Sequence, residues 1–286
     1  MKLEERIASL LGTRVSRLRP IRGRGYSVAI RNVAELDDGR TAFVKLGAEE
    51  PTSTFLRLEG RFYEAISAPF MPELLAYDET DPPLLVLEDL SGGRWPPPWT
   101  DSSIEAVRMA LGAVAATPPP GFVSRVEDDR ESLVGGWATI ERDPEPFLSL
   151  GACSPEWLET SLPALKRAAE RAPIEGDELL HLDVRSDNIC LADRGAVLVD
   201  WNWACVGNPE LDLAAWLPSL QLEGGPAPET ILPDAAGFAA LLAGFFGARA
   251  GLPPPRTAPH VRPIQLAQLG VALPWAARAL DLPPPR

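Results

Sequence analysis

His181-Leu-Asp183-Val-Arg185-Ser-Asp187-Asn188, followed twelve residues later by Asp200, is the part of the chain best equipped for chemistry. It reads HxDxxxxN, then an aspartate closing the apolar run Ala196 to Val199. Short apolar runs at Leu179-Leu180, Ile189 to Leu191 and Ala196 to Val199, with a turn signal at Asp193-Arg194-Gly195, predict a strand, a loop and a hairpin. Asn188 and Asp200 then fall at the open end of that hairpin, close enough to share one cation. Asp183 falls on the loop before it. Two hard oxygen ligands and a further carboxylate suit metal-assisted phosphoryl transfer.

A second set of residues lies far upstream. Arg22-Gly23-Arg24-Gly25-Tyr26-Ser27 could bring backbone N–H groups close to phosphates. By itself it is a plain turn, because position 28 is Val where a dinucleotide fingerprint has its third glycine. Its surroundings change the reading. Val28 to Leu36 reads as a strand, Asp37-Asp-Gly39 as a hairpin turn and Thr41 to Leu46 as the return strand. A glycine loop leading into a hairpin is a phosphate cover of the protein-kinase type. Alternation puts Phe43 and Lys45 on one face of the return strand and Ala42, Val44 and Leu46 on the other. Lys45 is thus placed for the α- and β-phosphates, and Phe43 for a purine. On the helix predicted over 54–66, Glu59 falls within about 20° of the centre of the apolar face, and Glu64 points the opposite way. A carboxylate on an apolar face needs a cation, and Lys45 is the natural one.

The rest of the scaffold obeys the same periodicities. Leu3 to Leu11 has helical spacing. Pro72 to Tyr77 and Leu84 to Leu90 read as strands, and the backbone of Glu88 to Leu90 is the expected edge contact to an adenine. Ser91-Gly-Gly and the prolines between Trp95 and Trp99 mark a break. The expected organisation is residues 1–90 as a nucleotide-binding lobe, 91–100 as hinge, and 101–286 as a helical lobe with the catalytic loop and the substrate site. Helical spacing recurs from Ser103 on, and at 154–171, 210–221 and 234–249. Residues 122–150 read as mixed helix and loop, and the tail from Ala258 has no assigned role. Asp212, at an apolar helix start, is expected to brace the catalytic loop.

The 286 residues carry a formal charge of −13, which argues against nucleic acid as partner and is compatible with a cationic ligand. Cys153, Cys190 and Cys205 are odd in number and show no CxxC spacing, so buried thiols in a reducing cytoplasm are expected rather than a disulfide or zinc framework. No apolar run approaches the ~20 residues that cross a bilayer, and the N-terminus has no apolar signal core.

From Ile21 to Leu220 the chain resembles the aminoglycoside phosphotransferase family, small-molecule kinases of the protein-kinase-like fold. The most specific matches are the HxDxxxxN stretch, Val199-Asp200-Trp201 and Gly207-Asn-Pro-Glu-Leu-Asp212-Leu-Ala. The resemblance implies an α+β two-lobed fold, with an antiparallel N-lobe sheet carrying one helix and a mostly helical C-lobe. It implies an ATP-dependent (or GTP-dependent) transfer of the γ-phosphate to a hydroxyl of a small antibiotic or metabolite. Asp183 would then be the base, Asn188 and Asp200 the Mg²⁺ ligands, Lys45 held by Glu59 the phosphate cation, and His181 a structural residue. The chain departs from the family around the catalytic loop, with Leu182 in place of the usual glycine and Arg185-Ser186-Asp187 before the asparagine. Arg185 could assist the γ-phosphate or pair with Asp187, and the pair is the expectation. Trp203 and Trp216 are compatible with a cationic acceptor. A monomer or homodimer with no membrane partner is expected. Two other readings stand beside the enzyme. One is a nucleotide-binding pseudokinase without turnover, disfavoured by the presence of Lys45, Asp183, Asn188 and Asp200. The other is a protein kinase, disfavoured because Trp201 stands where that class has Phe-Gly.

Overall fold

Period-two burial along the N-terminal third builds a five-stranded antiparallel sheet, and period-3.6 runs build most of the remaining chain. The computed structural model describes residues 2–21, 29–256 and 258–285. Its elements, in chain order, are α1 (Leu3–Leu11), β1 (Val15–Pro20), β2 (Ile30–Leu36), β3 (Thr41–Leu46), α2 (Thr52–Ala65), β4 (Leu74–Asp78), β5 (Leu84–Glu88), α3 (Asp101–Ala115), α4 (Arg130–Val134), α5 (Gly136–Arg142), α6 (Glu145–Leu148), α7 (Pro155–Glu170), β6 (Glu178–Leu180), β7 (Ile189–Ala192), β8 (Gly195–Leu198), β9 (Cys205–Gly207), α8 (Glu210–Leu222), α9 (Pro228–Ile231), α10 (Ala236–Ala250) and α11 (Val261–Ala279). Contacts divide the chain into two compact units, Met1–Pro96 with Asp187–Trp203, and Pro97–Ser186 with Ala204–Arg286. By chain order alone the β7–β8 hairpin would go with the helices; its contacts put it with the N-terminal sheet.

In the first unit the strand order is β1-β2-β3-β5-β4. Ala34, Ala42, Val44, Leu84 and Val86 form a buried face that α1 covers through Ile7. The sheet therefore carries α1, the helix that the spacing of Leu3 to Leu11 predicts, as well as α2. Strand β1 was also missed, because Ser16-Arg17 and Arg19-Pro20 leave too few apolar positions to show a period. Helix α2 lies against β4 at Gly60, where a Cβ would stand 2.1 Å from the Tyr77 ring. Only glycine allows that approach, and it brings the preceding residue, Glu59, down to the sheet.

The second unit is built on α10, a helix buried on nearly every side. Residues 122–150, unplaced by sequence, pack α5 onto it. Gly136 crosses Gly244 so closely that a Cβ there would meet the Gly244 backbone at 2.2 Å, and the fully buried Trp137 donates to Ala240 O at 2.7 Å. The tail forms α11, whose Leu269, Leu273, Trp275 and Ala276 are buried. Strands β6 and β9 pair antiparallel, Leu180 opposite Cys205. Among the described residues no helix is long and apolar enough to cross a membrane.

Candidate functional site

Lys45 lies one residue from the end of β3, between Arg31 on β2 and Leu85 on β5. Its neighbours Ala42 and Val44 point into the core, so the lysine is forced to the other face. There Nζ meets Glu59 Oε2 at 2.6 Å and Asp200 Oδ1 at 2.7 Å. Lys45 is 7% exposed and Glu59 2%. Glu64 is exposed, as the helix angle required. The triad has two carboxylates for one ammonium, and its titration reflects that excess. Burial alone would lower Lys45, but the charges of Asp200 and Glu59 outweigh it and hold the ammonium above its ordinary range. Burial, helped by Asp200, lifts Glu59 above its ordinary range against the pull of Lys45. Tyr63, one turn beyond Glu59 on α2, is pushed well up by burial and then by the same two carboxylates. Its buried hydroxyl has no hydrogen-bond partner among the described residues.

Asp200 follows β8 with a left-handed backbone, φ 71°. Val199 N donates to Asn188 O at 3.0 Å, so the open end of the hairpin brings the two oxygen-bearing residues together as the spacing predicted. Trp201 anchors that end: it is fully buried, stacks on Phe62 at 4.9 Å and donates to Leu198 O. Oriented by its partners, the Asn202 amide donates to Asp200 Oδ1 at 2.9 Å and accepts from Trp203 Nε1. Among the described residues no group of three or more His, Cys, Asp or Glu could hold a metal ion. One carboxylate and one amide oxygen fit Mg²⁺, which takes one or two protein oxygens and completes its shell with phosphates and water. They do not fit zinc, which wants a full set of protein ligands. The excess of carboxylate over ammonium in the triad fits the same cation.

The expected base-edge segment ends β5. The Glu88 N–H is used by Glu73 O and its carboxylate by Arg194. The Leu90 carbonyl accepts from Gly93 N and Trp95 Nε1, whereas the Leu90 N–H has no partner among the described residues. Phe43 is half-buried on the Lys45 face. Gly23, Gly25, Tyr26 and Ser27 lie outside the described residues.

Asp183 belongs to the second unit, on the loop after β6. His181 is fully buried, and its Nδ1 accepts from Asp183 N at 3.2 Å. Asp212, buried at the start of α8, accepts from His181 N and Leu182 N, each at 2.7 Å. Burial pushes its carboxyl above the ordinary range, and neighbouring Asp183 adds to the rise. The brace expected of Asp212 is therefore formed, and so is the structural role of His181. Leu182 has φ 58°. The position where a glycine was expected does adopt the left-handed conformation, at a cost of about 1–3 kcal/mol for a leucine, and both N–H groups held by Asp212 keep it there. Arg185 contributes a contact sequence reasoning did not weigh: Nε stands 3.5 Å from Asp183 Oδ1.

Two further corrections concern tryptophans and ties. Trp216 is fully buried, edge-on to Trp99 at 5.3 Å, so its ring is core and offers no face to a ligand. Glu223, which closes α8, accepts from Trp99 Nε1 at 2.8 Å and from Ser186 Oγ at 2.5 Å. Nothing in the sequence marks that tie, since its three residues share no motif. All three cysteines are free and buried.

The model of the phosphotransferase enzyme family matches residues 25–252. A search of curated proteins gives no match. Among solved structures, a choline/ethanolamine kinase family protein from Mesorhizobium loti aligns with TM-score 0.61 at 13% identity, over 93% of this chain and 92% of its own. An amicoumacin kinase in complex with AMP-PNP, Ca²⁺ and Ami aligns with TM-score 0.59 at 13% identity, over 98% and 93%. A macrolide 2′-phosphotransferase from Brachybacterium faecium aligns with TM-score 0.52 at 19% identity, over 98% and 97%. At these identities the likeness is one of fold: the α+β architecture of kinases that act on small molecules.

Proposed function

The chain belongs to the phosphotransferase enzyme family and is a small-molecule kinase, and from that membership we propose that it moves the γ-phosphate of ATP (or GTP) to a hydroxyl of a small antibiotic or metabolite. The observation that carries the reading is the buried Lys45–Glu59–Asp200 triad beside Asn188 on one hairpin. A hydrolase would need the metal ligands; it would not need a buried lysine held between a helix glutamate and a ligand aspartate.

In this reading the first unit binds nucleotide and the second carries the catalytic loop and the acceptor. Lys45 holds the α- and β-phosphates, and Glu59 keeps its ammonium aimed. Glu88 to Leu90 meet the base through the backbone, with Phe43 against the ring and Gly23, Gly25, Tyr26 and Ser27 covering the phosphates. Asn188 and Asp200 hold Mg²⁺ through their side-chain oxygens. An ion held there would supply positive charge against the charge that develops in transfer. Asp183 accepts the proton of the attacking hydroxyl. Its carboxylate is aimed by the loop that His181 and Asp212 fix, and the transfer itself demands mainly position and charge. The fold shared with an amicoumacin kinase crystallised with AMP-PNP supports a nucleotide in the first unit. Three buried free thiols support a cytoplasmic setting.

The test is ADP release from Mg-ATP with a panel of hydroxylated amines, sugars and antibiotics. Turnover on at least one acceptor is expected, with Asp183→Ala and Asp200→Ala inactive. Turnover that persists in Asp183→Ala removes that residue as base. Mg-nucleotide binding with no turnover on any acceptor moves the assignment to a nucleotide-binding module.

A further inference from the structure

Two-stranded hairpins are marginal on their own, so the place of the β7–β8 open end, with Asn188 and Asp200, depends on what the hairpin is fastened to. One fastening stands out. Arg194, in the turn at the closed end, gives Nη1 to Glu88 Oε1 at 2.8 Å and Nη2 to Glu88 Oε2 at 2.5 Å. Its Nε donates to Pro69 O at 3.1 Å and Nη2 also to Met71 O at 3.3 Å. Glu88 is the last residue of β5, and its carboxylate also accepts from Glu73 N. Residues 69–71 come after α2, the helix that carries Glu59. Leu198 N, at the other end of the hairpin, donates to Phe70 O at 2.8 Å. One planar guanidinium thus joins the end of the base-edge strand, the segment after the glutamate helix, and the metal hairpin. A forked, bidentate cation fixes orientation as well as distance, which a lysine cannot do.

We propose that Arg194 is a positioning residue for the metal: through Glu88 and the 69–71 carbonyls it sets Asn188 and Asp200 in register with the backbone that meets the base, so that Mg²⁺ and nucleotide are held cooperatively. This rests on the nucleotide and metal assignment made above. The Arg194 guanidinium and the Glu88 carboxylate are spent on each other and on backbone groups of residues 69–73. The pair is part-exposed, with 37% and 28% of the two side chains open to solvent, so its loss should loosen the hairpin without unfolding the sheet.

The experiment is ADP binding by titration calorimetry across a series of Mg²⁺ concentrations, with hydrogen exchange of the metal-free protein over residues 186–199. For Arg194→Ala the expected result is a Mg²⁺ dependence weakened by about tenfold or more, the size usual for groups that orient metal ligands, with metal-free ADP binding little changed and faster exchange in the hairpin. Arg194→Lys should fall between, and Glu88→Ala combined with Arg194→Ala should lose no more than Arg194→Ala alone. Lys and Glu88 variants also serve if the alanine variant fails to fold. Native protein that binds no Mg-ADP overturns the nucleotide reading, and this inference with it. Native binding together with an unchanged Mg²⁺ dependence in all the variants overturns the inference alone. Equal weakening of ADP with and without metal also overturns it, leaving Arg194 a simple staple.

Discussion

Replacing Lys45 with Met tests whether a single ammonium holds the triad together. Methionine keeps the apolar stem and removes the charge. Glu59, 2% exposed, then faces Asp200 without the ammonium that stood 2.6 Å away. A buried carboxylate in that position takes up a proton rather than remain charged. The carboxyl ordinarily titrates at 4.5, so holding a proton at pH 7 costs about 1.36 × 2.5, or roughly 3.4 kcal/mol, relative to the ionised unfolded chain. That agrees with the ~3–5 kcal/mol lost when one partner of a buried pair is removed. The proton count fixes the sign. Between 4.5 and its raised folded value, the folded variant binds a proton that the unfolded chain does not. Its stability is therefore present at low pH and falls as pH rises, by about 1.4 kcal/mol per pH unit. Burial already lifts this carboxyl in the native protein, so native stability changes with pH in the same sense, over a narrower window because Lys45 pulls the carboxyl back down. Urea denaturation of both proteins at pH 6, 7 and 8, monitored by circular dichroism, should show a deficit near 3 kcal/mol at neutral pH that widens with pH, by the same linkage. A deficit below about 1 kcal/mol, or one that does not change with pH, refutes the assignment of a buried, charge-compensating lysine.

Single contacts give three more expected outcomes. Asp212→Asn leaves one of the His181 and Leu182 N–H groups facing an amide NH₂, so denaturation should show a loss of about 1–3 kcal/mol and ADP release should slow; adding Leu182→Gly should recover more stability in that background than in the native one, because the strained residue has lost its clamp. Tyr63→Phe removes a buried hydroxyl that has no partner among the described residues, so the melting temperature should stay the same or rise. Burial pushes the Cys190 thiol up to about 11 and Cys205 to about 12; both should resist iodoacetamide at pH 8 in the folded protein and react in urea, read by mass spectrometry.

The chemistry was legible where it depends on neighbours in sequence. HxDxxxxN, the turn at Gly195 and the apolar run before Asp200 define a hairpin with two oxygen-bearing side chains at its mouth, since a two-stranded hairpin has few ways to close. Alternation on β3 and the helical angle of Glu59 were enough to predict a Lys45–Glu59 pair, because a buried carboxylate needs a cation and only one face supplied it. Elements with weak periodicity were missed. β1 is mostly polar, β9 is three residues long, and α11 hides among the prolines and alanines of the tail. The 122–150 segment could not be placed because its one strong signal, Trp137, needs the glycine face of α10 as partner, about a hundred residues later.

Residue type and local spacing were enough to single out candidate side chains and the strand, turn or helix that presents each of them, since those depend on a repeat of two or 3.6 residues. Packing settled what holds them. Only the folded chain shows Lys45 shared between Glu59 and Asp200, the hairpin bolted to the N-terminal sheet by Arg194, Arg185 turned to Asp183, and Leu182 kept in a strained conformation by Asp212. Each of those contacts joins residues through space at an angle and depth that no spacing encodes, and whether a charge is paired, buried or exposed is fixed only when distant segments pack.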